Sequence, residues 1–319
     1  MPTIRDLQAW RRPEITAIGR LPMRAFLPLF PDRESALAAA PGDPGPRLDL
    51  NGTWDFRYFD SPEAALDAVD ESAAEWEKID VPGNWTLQGW DRPHYTNVQM
   101  PFPDSPPEPP AQNPTGLYRR RFRLDSADSA LPERYVLHIG GAESVAMVWV
   151  DGAFVGLAKD SRLESEFDIT AELLQQHGGV DAAGEHELLI VVIRYSDASF
   201  IEDQDQWWMA GIHRDVFIRR EPLLHLRGLR LDPQLLEDNT TGRLTAEVEI
   251  GGLEIGDAVL AAARARGLDP AAAGCRECLP ARVTLQLFPP EAGPAALAEV
   301  SGEISGPPAS DGHHHDSPN

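Results

Sequence analysis

Residues Ser144–Ala158 read "SVAMVWVDGAFVGLA". Two short apolar runs rich in valine flank Asp151 and Gly152. A two-residue hairpin loop of type I′ needs positive φ at both central positions, and Asp-Gly supplies it at low steric cost. The stretch therefore predicts a β-hairpin. Runs of the same character recur on both sides: "LDLNGTWDFRYF" (48–59), "GLYRRRFRL" (116–124), "RYVLHIGG" (134–141), "HELLIVVIRYS" (186–196) and "RDVFIRR" (214–220). Short strands with little helix between them predict an all-β chain, built as an antiparallel jelly-roll sandwich. The 29 prolines and 26 glycines suit a fold with many turns.

A second series follows: "LLHLRGLRLDP" (223–233), "GRLTAEVEI" (242–250) and "ARVTLQLFPP" (281–290). The last two alternate apolar and polar residues, as half-buried strands do. They predict an immunoglobulin-like sandwich, but three strands are legible where about seven are needed. The second domain is therefore expected to be partial, with an Ala-rich insert at 258–274. The expected layout is an irregular arm over 1–46, the jelly roll over 47–220, the partial sandwich over 221–301 and a disordered tail over 302–319. In the arm, prolines interrupt "RLPMRAFLPLFPDRE" (20–34) and exclude a long helix. "ALAAAPGDPGP" (36–46) reads as a linker. A short helix is expected from Ser61 to Trp76, with a capping serine and a proline at the first helical position.

Composition excludes several classes of function. The net charge is −23, from 51 acids against 28 Lys plus Arg, so nucleic acid and anionic lipid surfaces are repelled. No apolar run approaches the roughly 18 residues of a membrane helix. The N-terminal stretch lacks a signal-peptide core, and two cysteines make no disulfide framework. A cytoplasmic protein is expected.

Three stretches hold candidate chemistry. Cys275 and Cys278 form a lone Cys-x-x-Cys pair; a zinc site needs two more ligands, and His313, His314 and His315 lie in a polar tail. A loop with two inert thiols is the favoured reading. "VPGNWTLQGWDRPHYTNVQMPF" (81–102) is long, polar and aromatic. Such a loop either stacks its indoles on sugar rings or is pinned to the fold by them. "FIEDQDQWWMAGIHRDV" (200–216) crowds Glu202, Asp203 and Asp205 against Trp207 and Trp208. Its acids either hold sugar hydroxyls or a cation, or pair with arginines such as Arg162 and Arg214. On a strand, Asp203 and Asp205 would face one site about 6–7 Å apart.

Five motifs in order, "LNGTWDFRYF", "VPGNWTLQGWDRPHYTNVQMPF", "NPTGLYRRRF", "DSRLESEFDIT" and "RYSDASFIEDQDQWWMAGIHRDV", carry a family resemblance. The chain resembles the N-terminal region of glycoside hydrolase family 2 β-galactosidases of the bacterial lactose-hydrolysing type, over about residues 5–250. The resemblance implies a retaining glycosidase, commonly a tetramer, helped by Mg²⁺ and Na⁺. Its catalytic glutamates sit on a (β/α)₈ barrel that follows the two sandwiches. No catalytic residue is thus assigned here, and this chain alone is expected to be inactive. Two substrate contacts carry over: Asn97, and Asp205, which also helps to hold Na⁺. A second Mg²⁺ site of the family maps onto Ala9, Arg12, Lys159 and Asp197, where two cations and an alanine replace oxygen ligands; that site is expected to be lost. The implied partners are a galactoside, a catalytic barrel in the same or a separate chain and, at full length, further copies of the enzyme. The rival reading is a stand-alone carbohydrate-binding or assembly module that docks to a separate catalytic subunit. A third is a structural β-sandwich whose sugar site has decayed.

Overall fold

The computed structural model describes residues 4–71, 75–97, 99–103, 105–125, 133–176, 182–222, 225–251, 281–287 and 298–304. Among the described residues, twenty strands and a few short helices make an all-β architecture. In chain order the first ten strands are β1 (Ala17–Ile18), β2 (Leu48–Asp49), β3 (Gly52–Phe59), β4 (Glu77–Val81), β5 (Gly83–Asn84), β6 (His94–Thr96), β7 (Thr115–Leu124), β8 (Glu133–Ile139), β9 (Ala142–Glu143) and β10 (Val145–Val150). They are followed by β11 (Ala153–Lys159), β12 (Ser165–Asp168), β13 (Gly184–Ile193), β14 (Gln206–Trp208), β15 (Gly211–Ile212) and β16 (Val216–Pro222). The last four are β17 (His225–Leu235), β18 (Gly242–Gly251), β19 (Ala281–Leu287) and β20 (Ala298–Ile304). Among the described residues no helix is long and apolar enough to cross a membrane.

The hairpin forms as its turn chemistry dictates. Asp151 and Gly152 have φ of 49° and 79°, and β10 pairs antiparallel with β11. All six residues of β10 are buried, as are Leu188–Ile193 of β13. Strand periodicity divides them between two cores. Ala146, Val148, Val150, Leu188, Ile190 and Val192 face one core, and Val145, Met147, Trp149, Leu189, Val191 and Ile193 face the other. The first core lies between a seven-stranded sheet, ordered β1-β11-β10-β13-β7-β3-β4, and a four-stranded sheet, β12-β8-β16-β2. The second lies on the outer face of the larger sheet. There it is covered by Ala9 and Trp10 of the arm and by Ala65 and Leu66 of a short helix.

Several elements differ from the sequence expectations. "LDLNGTWDFRYF" is not one strand but a corner: β2 pairs with β16 in the small sheet, and β3 with β4 and β7 in the large one. Gly52, at φ 111°, makes the turn between them. The helix expected from Ser61 to Trp76 spans only Pro62–Asp67. Ser61 caps it as expected, but the chain must then return to lay β4 beside β3, and Trp76 packs under the Arg119 guanidinium at 4.0 Å. The stretch read as a linker from Ala36 begins inside a helix, Arg33–Ala38. Asp32 caps that helix by accepting from the Ser35 amide at 2.7 Å, and alanines favour it. Residues 302–304, assigned to the disordered tail, belong to β20, which pairs with β19. β17 and β18 form a separate antiparallel ribbon. The Ala-rich insert, Cys275, Cys278, His313, His314 and His315 lie outside the described residues.

The arm is part of the sheet. β1 pairs with the outer strand β11 at Ala17↔Ala158 and Ile18↔Leu157. Its approach requires Gly156, because a Cβ there would strike the Ile18 carbonyl oxygen and the Phe167 ring. Gly156→Ala is expected to cost about 1–3 kcal/mol and to release the arm. Limited proteolysis should then cut near Arg20 while residues 48–222 stay intact.

Candidate functional site

The loop 81–102 and the stretch 200–216 meet in a two-stranded ribbon. β6 pairs with β14 at His94↔Trp208, Tyr95↔Trp207 and Thr96↔Gln206. One step further, at the open end of this ladder, stand Asn97 and Asp205, both exposed. The two residues carried over from the resemblance are thus brought to one edge by strand pairing, although 108 positions separate them in the sequence.

Strand alternation gives the ribbon two faces. Trp208 turns inward, 2% exposed, and its indole N–H donates to the Thr96 hydroxyl at 2.7 Å. Tyr95 and Trp207 turn outward, 53% and 56% exposed, with ring centroids 5.5 Å apart. The Tyr95 hydroxyl donates to Asp205 Oδ1 at 2.5 Å. That bond to the carboxylate holds the phenol above its usual range. Asp205 is therefore aimed by a neutral donor, with its second oxygen left for a hydroxyl or a hard cation.

The neighbouring acids have other roles. Glu202 accepts from the Ser161 amide at 2.8 Å and from its hydroxyl at 2.5 Å, which pins the turn. Residues 201–205 form a bend rather than a strand, so the shared face expected for Asp203 and Asp205 does not exist. Asp203 Oδ1 is buried without a hydrogen-bond partner among the described residues. Nor do Arg162 and Arg214 pair with these acids. Arg162 reaches Glu143 at 3.5 Å, and Arg214 donates to the Arg162 carbonyl at 2.6 Å.

The indoles of the long loop are not stacking surfaces. Trp85 is fully buried, and Trp90 packs edge-on against Phe56 at 4.8 Å. Tyr95 is the exposed aromatic of that loop, and the sequence reading gave it no role beside Asp205. It also passed over Arg194, which anchors the ribbon from below. This buried guanidinium pairs with Asp91 through Nη1 and donates through Nη2 to the Trp208 carbonyl at 2.8 Å. An arginine at the end of the apolar strand β13 was the available signal.

The positions Ala9, Arg12, Lys159 and Asp197 also meet. Lys159 Nζ donates to the Ala9 carbonyl at 3.0 Å, the Arg12 carbonyl at 2.8 Å and Asp197 Oδ1 at 2.7 Å. Its side chain is 2% exposed, and that of Asp197 7%. Burial pushes the Asp197 carboxyl up, and the ammonium opposes the shift. Three oxygens thus surround a positive charge that belongs to the chain itself.

The profile of the glycosyl hydrolases family 2 sugar binding domain matches residues 48–222, more than half of the chain. The chain belongs to glycoside hydrolase family 2. Its curated relatives include a β-galactosidase of Vibrio cholerae, 43% identical over 196 residues, which are 60% of this chain and 18% of that protein. A β-galactosidase of Yersinia pestis is 37% identical over 260 residues, 81% of this chain and 24% of that protein. The chain therefore spans between about a fifth and a quarter of these relatives. In fold it is similar to the β-glucuronidase of Bifidobacterium dentium, with a TM-score of 0.54 at 18% identity over 82% of this chain and 40% of that one. The β-glucuronidase of Ruminococcus gnavus gives 0.52 at 12% identity, covering 81% and 38%. At such identities the family 2 glucuronidases show a shared fold alone.

Proposed function

We propose that this chain is the N-terminal part of an enzyme that hydrolyses terminal β-D-galactosides such as lactose with retention of configuration. Asn97 and Asp205 orient the galactose hydroxyls, and Asp205 shares a Na⁺ with residues outside the chain. The observation that carries this reading is the ribbon, which sets both residues on one exposed edge with Asp205 already oriented by Tyr95. The jelly-roll and immunoglobulin-like assignments, with boundaries at 47–220 and 221–301, belong to the same proposal.

Retaining hydrolysis uses two carboxyl groups about 5–5.5 Å apart, one as acid and base and one as nucleophile. Among the described residues Asp205 has no such companion on the rim, since Glu202 is held by Ser161 and Asp203 turns an oxygen inward. Both catalytic carboxylates are therefore assigned to polypeptide beyond this chain. A single exposed carboxylate fits Na⁺ as one ligand of several. The Lys159 cluster does not fit Mg²⁺, because an ammonium already occupies its oxygens.

Intact-mass measurement of the native product, captured with an antibody against residues 48–222, tests the reading. The Yersinia relative, of which 260 residues are 24%, sets the expected product at about 1,100 residues. In that product Asp205→Ala should lower kcat/KM for a chromogenic galactoside by ~100-fold, as misplaced substrate does. The 319-residue chain alone should show no turnover. Turnover by this chain that vanishes with Asp205→Ala would overturn the proposal.

A second reading draws on the exposed apolar side chains of the chain. Leu87, Leu163 and Ile201 are 66%, 51% and 84% exposed, in addition to Tyr95 and Trp207. A carbohydrate-binding or assembly module that docks to a separate catalytic subunit would cover such a surface. A native product ending at Asn319 would favour it.

A further inference from the structure

The β6–β14 ribbon belongs to neither sandwich sheet; among the described residues its two strands pair with each other alone. The bonds from Trp208 to Thr96 and from Tyr95 to Asp205 run across the ribbon and tie one strand to the other. They do not tie it to the body of the domain. At the His94 end its inner face borders a cavity of about 580 Å³, walled there by Asp91, His94, Arg194 and Tyr195. Beyond the Asn97–Asp205 edge the chain is next fixed by Glu202 on Ser161, and by Phe102 edge-on to Tyr195 and Phe200. These points lie three and five residues from the edge.

Arg194 supplies a support at the other end. Its backbone is fixed, because Ile193 sits in the outer core and the Arg194 amide donates to the Pro114 carbonyl at 3.0 Å. Its side chain is 1% exposed. Nη1 pairs with Asp91, which takes a φ of 59° three residues before β6. Nη2 donates at 2.8 Å to the carbonyl of Trp208, the last residue of β14. His94 and Trp208 face each other across the ladder, so one guanidinium grips both strands at the same end. Just past β14, the Thr86 hydroxyl donates to the Met209 carbonyl at 2.8 Å. A planar fork serves a carboxylate and a carbonyl at a fixed angle, whereas a lysine ammonium is a point charge.

The exposed edge stands three steps from this grip. At ~3.4 Å per residue that is a lever of ~10 Å, and a tilt of ~10° would carry the edge by ~2 Å. A misplacement of ~1 Å is enough to cost a reaction ~100-fold.

We propose that Arg194 is a positioning residue, which sets the place of the Asn97–Asp205 edge through Asp91 and the Trp208 carbonyl and never touches the substrate. Its effect on rate rests on that edge being a galactoside contact; its effect on the edge does not.

Two measurements test the proposal. The first uses the full 319-residue chain with Cys275→Ser and Cys278→Ser. Nitroxides on cysteines at positions 205 and 185 report, by electron–electron resonance, the distance from the edge to β13. A second pair, at 78 and 185, reports the body alone. Arg194→Lys should shift or widen the first distance by ~2 Å, the lever arm's response, and leave the second as it was. Asp91→Asn removes half of the grip at a side chain that reaches solvent, 20% exposed, and should act in the same direction should Arg194→Lys fail to fold. An unchanged first distance, or both distances widening together, would overturn the proposal.

The second measurement uses the full-length product. Arg194→Lys should lower kcat/KM for a chromogenic galactoside by about 30-fold, as misplaced contacts do. In an Asp205→Ala background the same change should cost no more than about threefold, because residues that act through one another are not additive. Equal losses in both backgrounds would overturn the role in rate. An Asp205→Ala enzyme as fast as the wild type would sink the galactoside reading instead, and the nitroxide distances would then decide Arg194 by themselves.

Discussion

Lys159→Met is expected to lower the stability of the first sandwich by about 3–5 kcal/mol, as breaking one side of a buried ion pair does. The ammonium collects the Ala9 carbonyl, the Arg12 carbonyl and Asp197 within 3.0 Å. Methionine fills the volume but takes the ammonium away from a buried carboxylate and from two carbonyls that keep only their backbone donors, the Arg12 and Ile15 amides. Urea unfolding followed by tryptophan fluorescence measures the change. The double variant Lys159→Met with Asp197→Leu should recover much of the loss, because a buried pair replaced by apolar groups is often close to neutral. Excess EDTA should leave the wild-type midpoint unmoved. A wild-type midpoint that falls with EDTA and returns with Mg²⁺ would show that a divalent cation, not Lys159, holds the arm.

Glu221→Gln is expected to be as costly, about 3–5 kcal/mol, for a related reason. Glu221 is fully buried and lies 2.6 Å from Arg219, 3.3 Å from Arg24, 3.6 Å from Arg134 and 3.5 Å from His225. Glutamine keeps the shape but removes the charge that balances this group. The second carboxylate of the network is Glu166, 3.2 Å from both Arg219 and His138. Burial pushes its carboxyl up, but the His138 hydrogen bond and the charges of Arg219 and Arg24 outweigh this and hold it at about 2. A folded-state value below the unfolded one, roughly 4.3, stabilises the fold above that unfolded value. The contribution is lost as pH falls from about 4 through 2. Stability measured across that window should decline in the wild type, and the decline should be shallower in Glu166→Gln. An unchanged profile in the variant would remove Glu166 from the account.

What the sequence revealed depended on how local its causes were. Asp151-Gly152 fixed the hairpin because a turn is decided by its own two residues. The apolar runs of β10 and β13 were legible as strands, but not the two cores they serve, since burial on both faces erases alternation. The arm looked irregular because its work is done by scattered residues, Trp10 in the outer core and Ala17–Ile18 on a sheet edge, rather than by a periodic run. Gly52 divided a seemingly continuous strand because its positive φ serves a corner between sheets. At the rim, Asp205 was one of three crowded acids until the resemblance singled it out, and Asn97 was named through the resemblance alone. The hydroxyl that aims Asp205 comes from 110 positions away, a distance no local pattern spans.

The larger sheet ends in two different ways. On one side the arm lies along β11; on the other, β4 is the last strand among the described residues, closed at Asp80 by the Gln88 side-chain amide and showing Glu77 and Lys78 to solvent. An open strand is a template for other chains unless it is covered or charged. One border is therefore guarded by polypeptide that a protease can remove, the other by charges that salt can screen. Trimming of the arm should favour aggregation through β11 at any ionic strength, whereas high salt should weaken the guard at β4 alone.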